Sequence, residues 1–291
     1  MGLLNPGKET DIKAVRKAQK SMEVAERYIL ARNLDAAISE LTKARDALLG
    51  AAVEPAQQPL LVETLVRLSK DYLECGMSLD AANAADLALK TIPNDLPAML
   101  AFARALVKKG EVPQAISVLD KATQFAASDK SVWLFKADLY GQQQRPEMVM
   151  FCLKKAVELD PSDVSILDRM IQRSEDKAPL FKKKADLLVS QGLNEEALAA
   201  IDQAVTLMPR TVELMLRKGE ILTLLKRPDQ ALLIYDDVLA RDSGNGPAHL
   251  YKARSYKDKG DKAAALAQYK ESLRGDGMNK FTWAEVAALL F

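Results

Sequence analysis

At 291 residues the chain is longer than one hydrophobic core ordinarily grows, so it calls for two globular domains or an extended array that needs no single large core. Its 41 Lys and Arg residues nearly cancel 40 Asp and Glu residues, and a formal net charge of +1 excludes bulk electrostatic attraction to nucleic acid or an anionic membrane. No run approaches the roughly 20 apolar residues of a membrane-spanning helix, and Cys75 and Cys152 make no CxxC or Cys/His spacing. A cytoplasmic protein with two buried, reduced thiols is the expectation.

The N-terminal segment, 1–17, meets charge by Lys8 and has no apolar stretch of signal-peptide length. Gly2 to Lys8 has the GxxxxGK spacing of a phosphate loop. Glu9 stands where a magnesium-binding Ser or Thr is required, Pro6 removes an N–H donor and no strand precedes the segment, so no nucleotide site is expected. Pro6 also occupies the Ser/Thr position of a myristoylation start.

From residue 18 the chain repeats itself. Ala37, Ala81, Ala115, Val149, Ala197, Ala231 and Ala265 share one local frame, with steps of 44, 34, 34, 48, 34 and 34, and 34 residues is the length of a helix-turn-helix unit. Seven residues after each stands Ala44, Ala88, Ala122, Ala156, Ala204, Val238 or Ser272, and twelve before stands Ala25, Ser69, Ala103, Ala137, Ala185, Gly219 or Ala253. Small side chains at fixed points on two helices let the axes approach closely. Bulk recurs beside them: Tyr28, Tyr72, Leu106, Tyr140, Leu188, Leu222 and Tyr256 on the first helix, and Leu41, Leu119, Leu153, Ile201, Tyr235 and Tyr269 on the second, with Ala85 undersized. Gly76, Gly110, Gly192 and Gly260 share a turn position five residues before the marker, and every proline after residue 60 falls at a helix boundary.

Two steps are long. The first interval carries extra residues around 50–60, LLGAAVEPAQQP, read as a lengthened connection, so block one runs over 18–161. In the fourth interval Val164, Leu167, Met170 and Ile171 share a helical stripe, which predicts a short added helix and a hinge over 162–177, before a second block at 178–277. The last segment, 278–291, puts Trp283, Val286, Ala287 and Leu290 in register with a further first helix that has no second. It reads as a capping helix or, through Trp283, Leu290 and Phe291, as a self-association surface.

These positions resemble the tetratricopeptide repeat family, with small, bulky, glycine, alanine, aromatic, alanine and proline residues at set offsets and Trp133 near a repeat start. The resemblance covers about residues 18–291. Leu49, Ala127, Ser243 and Gly277 depart from it where the family favours proline, and Val149 and Val238 where it favours alanine. It implies an all-α, right-handed superhelical solenoid of about seven units, an added short helix and a C-terminal cap. It also implies a non-enzymatic scaffold that binds a protein or peptide along the concave face of the first helices.

The family's ninth position, which points into the groove, is held here by Glu26, Lys70, Arg104, Asp138, Asp186, Glu220 and Arg254. Lys70 and Arg104, joined by Arg67 and Lys108, make a basic stretch; Asp138, Asp186 and Glu220 make an acidic one. A partner is therefore expected to carry acids toward repeats two and three and bases toward repeats four to six. The family's chaperone-tail carboxylate clamp is not expected, because its positions hold Met22, Glu26, Arg67, Pro97 and Ala101.

No cofactor, metal or catalytic group is expected. One histidine, His249, cannot form a two-histidine zinc site, and Asp242 to Gly246 lacks the alternating acids of a calcium loop and reads as a turn. Self-assembly through the terminal helices is the alternative function. An RNA-binding repeat ranks below it, for want of net positive charge and regularly spaced base-reading pairs.

Overall fold

The computed structural model describes residues 6–49, 55–275 and 280–290, and among them every regular element is helical. Gly2 to Asn5 of the GxxxxGK spacing, 50–54 of the first connection, Gly277 and Phe291 lie outside the described residues. The chain divides into two compact units, Met1–Leu159 and Asp160–Phe291.

The first unit holds α1 (Pro6–Leu30), α2 (Leu34–Leu48), a 3-10 turn (Pro55–Gln57), α3 (Gln58–Glu74), α4 (Ser78–Thr91), α5 (Leu96–Lys108), α6 (Val112–Phe125), α7 (Lys130–Gln142) and α8 (Pro146–Leu159). The second holds α9 (Val164–Arg173), α10 (Ala178–Ser190), α11 (Asn194–Leu207), α12 (Val212–Leu224), α13 (Pro228–Arg241), α14 (Gly246–Asp258), α15 (Lys262–Gly275) and α16 (Lys280–Leu290). α1 reaches back to Pro6, well before residue 18, because Val15 and Ala18 continue the apolar face that Met22 and Ala25 bury.

Each helix pair is built from the repeated small residues. The seven markers from Ala37 to Ala265 are buried, as are their partners seven residues on and twelve residues back, so the axes close over them. Large side chains fill what remains: Tyr72, Leu41, Leu119, Leu153, Tyr235 and Tyr269 are fully buried. Two of the small positions do more than save space. Ser69 Oγ donates to the Ala81 carbonyl at 2.8 Å, tying α3 to α4. A Cβ on Gly219 would stand 2.4 Å from the Tyr235 ring, so the small residue on α12 is what admits that ring from α13.

Local chemistry sets the ends. Asn33, Asp95, Asp129, Asp163 and Asn245 cap α2, α5, α7, α9 and α14 with side-chain oxygens on backbone N–H groups. Prolines fall in the first turns of α5, α6, α10, α13 and α14, where no intrahelical donor is lost. Between the two helices of a pair, one position has φ near +80° in the four glycines, and Arg32, Gln144 and Lys226 hold the same left-handed turn at 57°, 56° and 58°.

The long intervals are filled by structure. The first is taken up by the 3-10 turn and by the early start of α3. In the fourth, α9 buries Ile166, Leu167, Met170 and Ile171 within the second unit. At the C-terminus, α16 packs on α15 and buries Thr282 and Leu289, leaving Trp283 53 % and Leu290 62 % exposed.

Candidate functional site

First helices of successive pairs touch in both units, α1 with α3, α3 with α5, and α12 with α14. At several first-helix junctions the ninth position of one repeat meets the sixth position of the next. Glu26 accepts from Arg67 Nε at 2.8 Å, Arg104 lies over the Phe135 ring at 5.8 Å, and Asp186 accepts from Arg217 Nε at 2.7 Å. Glu220 and Tyr251 line one cavity. Arg254 holds Glu285 of α16, with Nε 3.0 and 3.2 Å from the two carboxylate oxygens, while the Tyr269 hydroxyl donates to the same carboxylate at 2.6 Å. We call each such contact a rung.

The rungs have electrostatic consequences. The bond to Glu26 outweighs desolvation and holds the Arg67 guanidinium above its ordinary pKa. Burial works against the charge of Arg217, yet its bonds to Glu220 and Asp186 hold its pKa up. Burial likewise opposes the charge of Glu285, and the bonds from Arg254 and Tyr269 overcome it and lower its pKa. Burial first, and then Glu220, push the Tyr251 hydroxyl up to about 12.

Among the described residues, one junction within the first unit shows no such rung. Between repeats two and three the ninth-position residue is Lys70, and the residue facing it across the junction is Ala101. A cavity of about 270 Å³ opens there, lined by Arg67, Lys70, Arg104, Glu63 and an apolar floor of Val66, Leu73 and Ala101. The structure thus brings three of the sequence-predicted cations, Arg67, Lys70 and Arg104, to one space. Lys108 is exposed one helical turn beyond Arg104 on α5 and does not line it.

The acidic stretch looks different in three dimensions. Asp138 is exposed on α7. In the second unit Asp186 and Glu220 both bind Arg217, and Glu220 shares a cavity of about 240 Å³ with Arg217, Tyr235, Tyr251 and Arg254. Arg217 thus interrupts the acidic stretch, and these two carboxylates do not present bare charge. The sequence reading missed Arg217, Phe135, Tyr251 and Glu285. A signal existed, since each stands 31 residues after a ninth position and two of the pairs carry opposite charge.

A larger space of about 450 Å³ lies between α2, α3 and α4, floored by Leu48, Leu65, Leu68 and Leu87. The charges on its rim are already paired, Arg45 with Asp80 at 3.5 Å and Lys90 with Asp86 at 2.6 Å, so it has little electrostatic pull of its own. His249 is tied by Nδ1 to Gln268 at 2.8 Å and by Nε2 to the Ser243 carbonyl at 3.0 Å, where it braces the Asp242–Asn245 turn. Among the described residues no three His, Cys, Asp or Glu side chains are placed to share a metal ion, and no helix is long and apolar enough to cross a membrane.

Comparison with known proteins agrees with the helix pairs. Family models described as tetratricopeptide repeat match residues 76–139, 131–163 and 182–247, together more than half of the chain. Among solved structures, the chain is similar to a tetratricopeptide repeat protein from Parabacteroides merdae, at 15 % identity over 94 % of this chain and 98 % of that one, with a TM-score of 0.42. It is also similar to YrrB, described as a TPR protein with an unusual peptide-binding site, at 20 % identity over 70 % and 98 %, TM-score 0.37. A third is yeast Tom70, at 17 % identity over 88 % and 58 %, TM-score 0.43. At these identities each likeness concerns the fold alone. No curated protein sequence matches the chain.

Proposed function

We propose that this chain, which belongs to the tetratricopeptide repeat family, is a non-enzymatic scaffold that binds an acidic segment of a protein partner along the first helices of its N-terminal unit. The observation that carries the reading is the cavity at α3 and α5, where Lys70 and Arg104 stand over Val66, Leu73 and Ala101. Cations above an apolar floor suit a peptide whose acids alternate with aliphatic side chains, because the charges give orientation and the floor gives burial. The carboxylates of the second unit are engaged by Arg217 and Arg254, so a basic partner segment would have to exchange those pairs to dock there.

Affinity purification from native lysate, comparing the intact chain with Lys70→Glu/Arg104→Glu, tests this. The expected result is loss of partners bearing acidic segments from the variant alone; identical partner sets would sink the reading. A second reading, self-association, is favoured by the exposed Trp283 and Leu290 on α16. Sedimentation at several concentrations separates the two, since only self-association makes the apparent mass rise with concentration.

A further inference from the structure

The rungs at the first-helix junctions are occupied by side chains of different chemistry: Glu26 with Arg67, Arg104 with Phe135, Asp186 with Arg217, and Arg254 with Glu285, while Glu220 and Tyr251 line one cavity. What they share is geometry, a long side chain at the ninth position reaching a long side chain at the sixth position of the next repeat. Arg67, Phe135, Arg217, Tyr251 and Glu285 are all half-buried, which shows that the sixth position accommodates bulk. Ala101 stops at its Cβ. Among the described residues no side chain pairs with Lys70, and the space that a sixth-position side chain would fill is the cavity between α3 and α5.

The charges around the gap choose its occupant. Arg67 is committed to Glu26, whereas Arg104 lies over the Phe135 ring and among the described residues has no carboxylate partner, which leaves its N–H groups able to take one. Glu63, in the same lining, adds one negative charge and limits how much anion the site takes. A single carboxylate on an aliphatic stem therefore fits better than a polyanionic backbone, and the rung at Arg254 shows how a glutamate sits on a ninth-position cation. We infer that the gap between Lys70 and Ala101 is a carboxylate subsite, in which a Glu or Asp side chain of a bound polypeptide supplies the missing rung and pairs with Lys70 and Arg104. This rests on the peptide-binding reading above and assigns the residue class that the partner places at this junction.

The inference predicts that the chain can be made to fill its own site. Ala101→Glu puts a carboxylate where Glu285 stands in the last rung. It is expected to raise the melting temperature without any ligand and to weaken, by about tenfold, a fluorescent peptide of alternating glutamate and leucine measured by anisotropy. In a Lys70→Met background the thermal gain should vanish, so the coupling between the two positions is read even if either substitution perturbs packing. The glutamine counterpart of the peptide is expected to bind the intact chain about tenfold more weakly than the glutamate peptide.

A thermal gain that persists without Lys70, or no gain at all, would overturn the missing-rung geometry. A Lys70-dependent gain combined with equal binding of the glutamate and glutamine peptides would leave the rung intact but overturn the assignment of a partner carboxylate, and with it the acidic-segment reading. Single-stranded RNA displacing the glutamate peptide at equal concentration would overturn the choice of a carboxylate over a phosphate backbone.

Discussion

Where the first helix of each pair turns into the second, one residue sits in the left-handed region, and glycine fills that place in only four of the seven pairs. Lys226, at φ 58°, holds the turn at a steric cost that glycine does not incur. Lys226→Gly is therefore expected to stabilise the chain by roughly 0.5–1 kcal/mol, read as a higher urea midpoint at unchanged slope. An unchanged midpoint would mean that the lysine side chain compensates. Asp71, on α3, is 4 % exposed, and its Oδ2 has no hydrogen-bond partner. Burial, and then the charge of Glu26, push its pKa from 3.8 up to about 7, against the pull of Arg67 and Lys70. Between those two values the unfolded chain holds fewer protons than the folded one, so this group makes stability fall as pH rises from the lower value to the upper. Asp71→Asn should accordingly raise the melting temperature more at about pH 8 than at about pH 4. An equal gain at both would place the responsible charge elsewhere.

Among the elements, α16 shows how the last described helix is held. Among its described side chains Leu289 and Thr282 are buried and Val286 packs half-buried beside them, while Glu285 binds both Arg254 and Tyr269. Glu285→Ala is expected to increase amide hydrogen exchange throughout α16 while leaving α12 and α13 unchanged. Equal exchange in variant and parent would show that burial alone docks the helix. Because the Glu285 pKa is lowered, its contribution is complete above the ordinary glutamate value of 4.5 and is lost as pH falls through the folded one, so α16 should loosen on acidification before the rest of the unit. α9 buries more apolar bulk, through Ile166, Leu167, Met170 and Ile171, and is tied to α10 by the ion pair between Asp168 and Lys184.

For the whole molecule, stability in a repeat array comes from nearest-neighbour interfaces, so a division into two compact units carries a thermodynamic expectation. Fragments Met1–Leu159 and Asp160–Phe291 should each show a cooperative helical melt; a fragment without one would mean that its unit depends on the other. The sequence by itself determined the helix pairs, though not where the first helix begins, since α1 starts at Pro6. A buried small residue in one frame, 34 residues apart in four of six steps, a glycine or its substitute five residues earlier, and prolines confined to helix boundaries leave a helix few other ways to pack. It also singled out Lys70 and Arg104, because the ninth position falls at a fixed offset from those alanines. Only the tertiary structure decided which charges are free to act. Asp186 and Lys70 occupy equivalent positions in the pattern, yet Asp186 faces Arg217 and Lys70 faces Ala101, and that difference depends on a neighbour 31 residues away, beyond the reach of any local periodicity.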